Sequence, residues 1–134
     1  MRFILIFMFG PLIVFAQKSE QKDAYQYYIN SEYSQAISIY EKIPVNKSTV
    51  HYYTPFFTSL IKSDRYKEAK KLASRMSSIF STDLIYRLDL GISYHMLGDN
   101  RRANKIYDDV YLKMKGTRHQ TNSLANRFII HDMY

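Results

Sequence analysis

Apolar residues in this chain recur at steps of three and four, the spacing of one face of an α-helix. Leu90, Tyr94 and Leu97 form one such series, and Ala103, Ile106, Tyr107 and Val110 form the next. Gly98 and Asp99 separate them, a break suited to an antiparallel turn. Stripes and breaks of this kind predict helices over 18–31, 34–43, 55–63, 66–80, 84–97, 100–114 and 120–130. Pro44 closes the second helix, and Val45 to Ser48 form its connection. Ser81, Thr82 and Asp83 offer an N-cap for the fifth, and Gly116 and Thr117 mark a later connection. A proline inside a helix costs about 3 kcal/mol or more. Thr54 is therefore expected as a cap with Pro55 in the first turn, leaving His51, Tyr52 and Tyr53 in an extended stretch or a separate turn.

The pattern repeats. Ala36, Ala69 and Ala103 are 33 and then 34 residues apart. A second series, Ala24, Phe57, Gly91 and Ala125, keeps the same step, and each member is followed three residues later by a large apolar side chain: Tyr27, Leu60, Tyr94 and Phe128. Two interleaved series at one period predict stacked helical hairpins, because a lone hairpin cannot bury both its faces. The small residues fall where helices cross, and helix axes approach to about 8–10 Å only if the side chains there permit it. The fold class expected is all-α, with about three hairpins (units 18–46, 50–81 and 84–116) and the first helix of an incomplete fourth at 118–134.

Composition narrows the setting. With 134 residues the chain fits one small domain. Residues 1–16 read as a secretory signal. Arg2 leads an apolar run from Phe3 to Phe9 and Leu12 to Phe15, Gly10 and Pro11 interrupt it, and Val14, Phe15 and Ala16 make a small-residue cleavage site before Gln17. The run falls short of the ~20 residues a membrane span needs. A membrane role is therefore expected only through an uncleaved signal, and the setting expected is the periplasm or cell envelope. Without Arg2 the formal charge falls from +7 to +6, which favours acidic partners, anionic surfaces or nucleic acid without choosing among them. There is no cysteine, so disulfides and thiolate metal sites are excluded. The core must then come from helix stacking, with 13 tyrosines and 8 phenylalanines to supply large apolar areas.

Residues 18–134 resemble the tetratricopeptide repeat family. Leu90, Gly91, Tyr94, Gly98, Asp99, Ala103 and Tyr107 carry the resemblance in the third unit. Ala24, Tyr27, Glu32, Tyr33, Ala36, Ile37, Tyr40 and Lys42 carry it in the first, and Leu60, Arg65, Tyr66, Glu68 and Ala69 more weakly in the second. Together with the signal, the style resembles exported repeat proteins of Bacteroidetes-type bacteria. The family implies a right-handed α–α superhelix whose first helices line a concave groove for a peptide or a partner protein. By that register Tyr25, Tyr28, Thr54, Thr58, Ile61, Leu88, Ile92, His95, Asn122 and Asn126 face the groove. The Lys, Arg and Asn clamp that some members use for a C-terminal carboxylate is missing, since Gln21, Tyr25, Thr54 and Thr58 occupy its places. The last unit breaks off near Met133 and Tyr134, as in the N-terminal part of a longer array.

Other candidates are weaker. Arg65, Lys67, Lys70, Lys71 and Arg75 cluster on one helix, and Arg101, Arg102 and Lys105 on another. Both sets read as solvated outer faces, with an acidic partner or anionic lipid as the functional alternative. His51, His95, His119 and His131 lack the close spacing of a helical metal site, and adjacent Asp108 and Asp109 point in different directions. No phosphate loop or nucleophile elbow is present. The expectation is a non-catalytic interaction module without a cofactor. One alternative is the sensory or scaffold part of a larger regulator. The other is a pentatricopeptide-like reader of single-stranded RNA, suggested by Val50 to Met76, for which the export signal makes nucleic acid an unfavoured partner.

Overall fold

A computed structural model of the chain describes residues 10–114. Among these it contains α-helices and one short 3₁₀ helix but no strand: α1 Gly10–Ile29, α2 Tyr33–Tyr40, α3 Tyr53–Lys62, α4 Tyr66–Ile79, α5 Leu84–Met96 and α6 Asn100–Met114. The all-α expectation therefore holds. The predicted helix at 120–130, the connection at Gly116 and Thr117, and the incomplete unit at 118–134 lie outside the described residues, as do residues 1–9 of the expected signal. Helix α1 starts eight residues before the predicted boundary at 18 and runs through Ala16 and Gln17 without a break. No helix among the described residues is long and apolar enough to cross a membrane.

Local chemistry sets the other boundaries. Helix α2 stops at Tyr40, earlier than expected, and tightens into i→i−3 bonds from Lys42 to Ile39 and from Ile43 to Tyr40. The residue before a proline is pushed out of the helical region, and Ile43 precedes Pro44. A 3₁₀ helix, Lys47–His51, fills the connection. Asn46 Oδ1 accepts from the Ser48 N–H at 2.7 Å, and Thr49 Oγ1 accepts from the Asn46 N–H at 2.9 Å. Tyr52, not Thr54, takes the N-cap position of α3. Pro55 becomes the third helical residue, a first-turn position where a backbone N–H would have no intrahelical acceptor, so proline's missing donor costs no helical bond. Asp83 caps α5 as expected, accepting from the Ile85 N–H at 2.9 Å.

Three hairpins, α1–α2, α3–α4 and α5–α6, are closed by one turn used three times. Ser31, Asp64 and Gly98 all adopt left-handed backbone, with φ of 62°, 57° and 80°. After each, the next residue's N–H reaches five residues back: Glu32 to Tyr27, Arg65 to Leu60 and Asp99 to Tyr94, all at 2.9 Å. This is a Schellman closure of the first helix. The same three residues then open the second helix, their carbonyls accepting from Ala36, Ala69 and Ala103 at 3.2, 3.0 and 3.1 Å. Their side chains also reach the residue three positions on, Glu32 to Gln35, Arg65 to Glu68 and Asp99 to Arg102, with the polarity differing from unit to unit.

Each helix packs on the next one along the chain, and α1 also touches α3. Ala24, Ala36, Ala69 and Ala103 are fully buried, as the two small-residue series require. Gly91 is the tightest seat: a Cβ there would lie 2.7 Å from Tyr107 Cε1 and 3.1 Å from Ile106 Cγ2. Aromatic rings join neighbouring hairpins. Tyr40 of α2 stacks on Tyr52 at 5.4 Å and tilts onto Phe56 of α3 at 5.3 Å, while Tyr53 of α3 meets Tyr86 of α5 edge-on at 4.7 Å. Arg65 adds a polar tie, linking Glu41 at the end of α2 to Glu68 of α4.

Candidate functional site

The residues assigned to a groove by register fall into three groups. Tyr25 and His95 are exposed, and Tyr28 and Thr54 are half-buried. Thr58, Ile61, Leu88 and Ile92 retain at most 4% of their surface and are packed inside the protein. Asn122 and Asn126 lie outside the described residues. The first group does not form one surface throughout. Tyr25 and Tyr28 share α1 with ring centroids 5.9 Å apart, and Tyr28 lies 6.4 Å from Tyr33. Tyr27 and Ile29 near the end of α1 are also exposed. His95 sits two hairpins away at the end of α5.

A concavity lies elsewhere, along α4. It is an open cleft of about 780 Å³. One flank comes from Tyr40, Ile43 and Val45 together with Phe56 and Leu60 of α3, and the other from Leu90 and Tyr94 of α5. Of the apolar side chains in this lining, Tyr40 and Leu60 are fully buried and Phe56 and Leu72 nearly so. The Tyr40 hydroxyl is buried and makes no hydrogen bond among the described residues. Burial raises its pKa above the ordinary phenol value, and the neighbouring phenols of Tyr25, Tyr28 and Tyr52 push it in the same direction.

Cations edge this cleft. Lys70, Lys71 and Arg75 of α4 line it, although the sequence reads them as a solvated face. They form no ion pair among the described residues. The two carboxylates in the lining, Glu41 and Glu68, are both held by Arg65. The hydrogen bond that Arg65 donates to Glu68 is the largest influence raising the Arg65 pKa. Lys70 Nζ and the Arg102 guanidinium each lie 5.4 Å from the centroid of the Tyr94 ring, within the range of a cation–π contact. On the last hairpin Asp109 accepts from Lys113 at 3.0 Å and pairs with Arg87. The Lys113 hydrogen bond is the main cause of its carboxyl lying below the usual range. Asp108 points away to solvent, so the two adjacent aspartates form no pair.

Residue types alone do not announce the cleft. Tyr40, Phe56, Leu60 and Leu72 look like ordinary core, and the lysines look like ordinary surface. The available signal is Lys71 and Arg75, four apart on one helical face, flanking Leu72 of the buried face. Among the described residues no three histidine or carboxylate side chains gather as a metal would require. Against protein-family models, curated proteins and solved structures, the chain finds no match.

Proposed function

We propose that the chain is a non-catalytic interaction module, a right-handed tetratricopeptide-like superhelix of α-hairpins that presents its surface to a peptide or partner protein in the bacterial envelope. The observation that carries the reading is the turn repeated at Ser31, Asp64 and Gly98 with the same backbone hydrogen bonds, 33 and 34 residues apart. A period of 34 is that of tetratricopeptide hairpins, and stacked hairpins of this type form extended binding surfaces. Export is supported by the basic start, apolar run and small-residue site of residues 1–16. The exposed tyrosines of α1 supply rigid, amphipathic contact area of the kind enriched in binding interfaces.

The test has two parts. Sequencing the N-terminus of the protein recovered from the envelope fraction is expected to return Gln17. A photoactivatable group at Tyr25 or Tyr28 is expected to trap one partner, and that partner, once purified, is expected to bind the full chain at a fixed stoichiometry. Recovery of the protein from the cytosol with residue 1 intact, or crosslinks spread over unrelated proteins that fail to bind when purified, would refute the proposal.

A further inference from the structure

We infer that the cleft along α4 is a docking site for an acidic, amphipathic peptide segment. The inference rests on the interaction-module reading and adds the chemistry of the partner and the place where it binds, a face built around a second helix of a hairpin.

Three features define the occupant. The first is shape: about 780 Å³ of open cleft whose accessible apolar lining is Val45, Leu90 and Tyr94, within the roughly 300–1,000 Å³ typical of ligand-binding clefts. The second is charge. Lys70, Lys71 and Arg75 line the cleft without a carboxylate partner, while Glu41 and Glu68 are occupied by Arg65. An incoming Asp or Glu meets Lys71 and Arg75 with no internal carboxylate competing for them, and charge complementarity of this kind selects partners and speeds encounter. The third is length. The α4 lining runs from Glu68 to Ser78, and at about 1.5 Å per residue it offers roughly 15 Å of track. That suits a short helix with apolar anchors at i, i+4 and acids between them.

The same features disfavour other occupants. Insertion into lipid needs apolar side chains that protrude, whereas Tyr40 and Leu60 of the cleft lining are fully buried. Single-stranded RNA needs open aromatic faces for base stacking. Tyr94 is the aromatic on the α5 flank, and Lys70 and Arg102 already sit over its ring.

The probe is a fluorescent peptide of about fifteen residues, long enough to populate helix, with Leu and Phe at helical spacing and Glu between them. Anisotropy against the full chain is expected to show saturable binding that weakens with salt. The double substitution Lys71→Glu with Arg75→Glu is expected to weaken it by about tenfold or more, since reversed charges repel the acidic segment. Lys71→Arg with Arg75→Lys is expected to retain it. Both positions are exposed, and circular dichroism will verify that the variants stay folded. Equal binding of a peptide with Lys in place of Glu would overturn the inference, as would charge reversals without effect. So would tighter, reversal-sensitive binding of anionic vesicles or labelled RNA, or a second copy of the chain covering the cleft in solution. If a partner trapped through α1 binds regardless of the α4 reversals and the peptide does not bind, this inference falls and the interaction-module reading stands. If neither binds, both fall.

Discussion

A methyl group at Gly91 would meet the Tyr107 ring at 2.7 Å, well inside ordinary carbon contact. Alanine favours helix over glycine by about 1 kcal/mol, so the balance at this position depends on whether Tyr107 can give way. Its hydroxyl is buried and Ile106 closes the same seat. Gly91→Ala is therefore expected to lower stability by about 1–3 kcal/mol through overpacking, read as a lower thermal midpoint by circular dichroism. Gly91→Leu and Ala103→Leu are expected to cost more than Leu60→Ala, because the helices must separate to admit them. Equal midpoints among the three would count against the crossing-point argument. Tyr107 also sets an alkaline limit. Burial pushes its phenol up to about 12, and burial raises Tyr40 as well. Unfolded tyrosine ionises near pH 10. As pH rises past that value the unfolded chain loses protons that the folded chain keeps, so stability is intact below about pH 10 and falls between 10 and 12. Denaturant midpoints measured at pH 9 and 11 should show the loss, and Tyr107→Phe should make it smaller.

The hairpin turn is the element where sequence and structure differ most instructively. Gly98 and Asp99 announce a break, because glycine is the usual residue for left-handed backbone. Ser31 and Asp64 hold the same conformation without that signal. What keeps them there is the set of backbone bonds around them, together with the buried alanine five residues beyond each. Periodicity placed α2 to α6 to within a few residues, but not the start of α1, and the 3₁₀ helix at Lys47–His51 depends on Asn46 and Thr49 bonding locally, which no apolar stripe records. A side chain in left-handed backbone costs roughly 1–2 kcal/mol, part of which glycine returns as chain entropy. Ser31→Gly is therefore expected to raise stability by about 0.5–1 kcal/mol and Gly98→Ala to lower it by about 1 kcal/mol. Chemical denaturation of the two variants checks the pair, and a stabilising Gly98→Ala would show that this turn is held by something other than its backbone angle.

Over the whole molecule, the stacking of hairpins was legible and the surface it leaves was only partly so. Register along each helix assigned Thr58, Ile61, Leu88 and Ile92 to an open groove, yet neighbouring helices cover them. Which side of a stacked pair stays open depends on how far each hairpin rotates on the last, and a linear pattern carries no record of that rotation. The cleft along α4 was hidden for the same reason, since it joins residues from four helices that only packing brings together. The turns at Ser31 and Asp64, by contrast, place matching atoms 33 residues apart. Excising residues 32–64 would connect Ser31 directly to Arg65 and leave a complete closing bend, with Ala69 where Ala36 had been. A deletion a few codons longer or shorter would put the wrong face of the following helix against its neighbour. An added whole hairpin is thus expected to leave every junction intact, and the size of that step is written in the backbone of three bends.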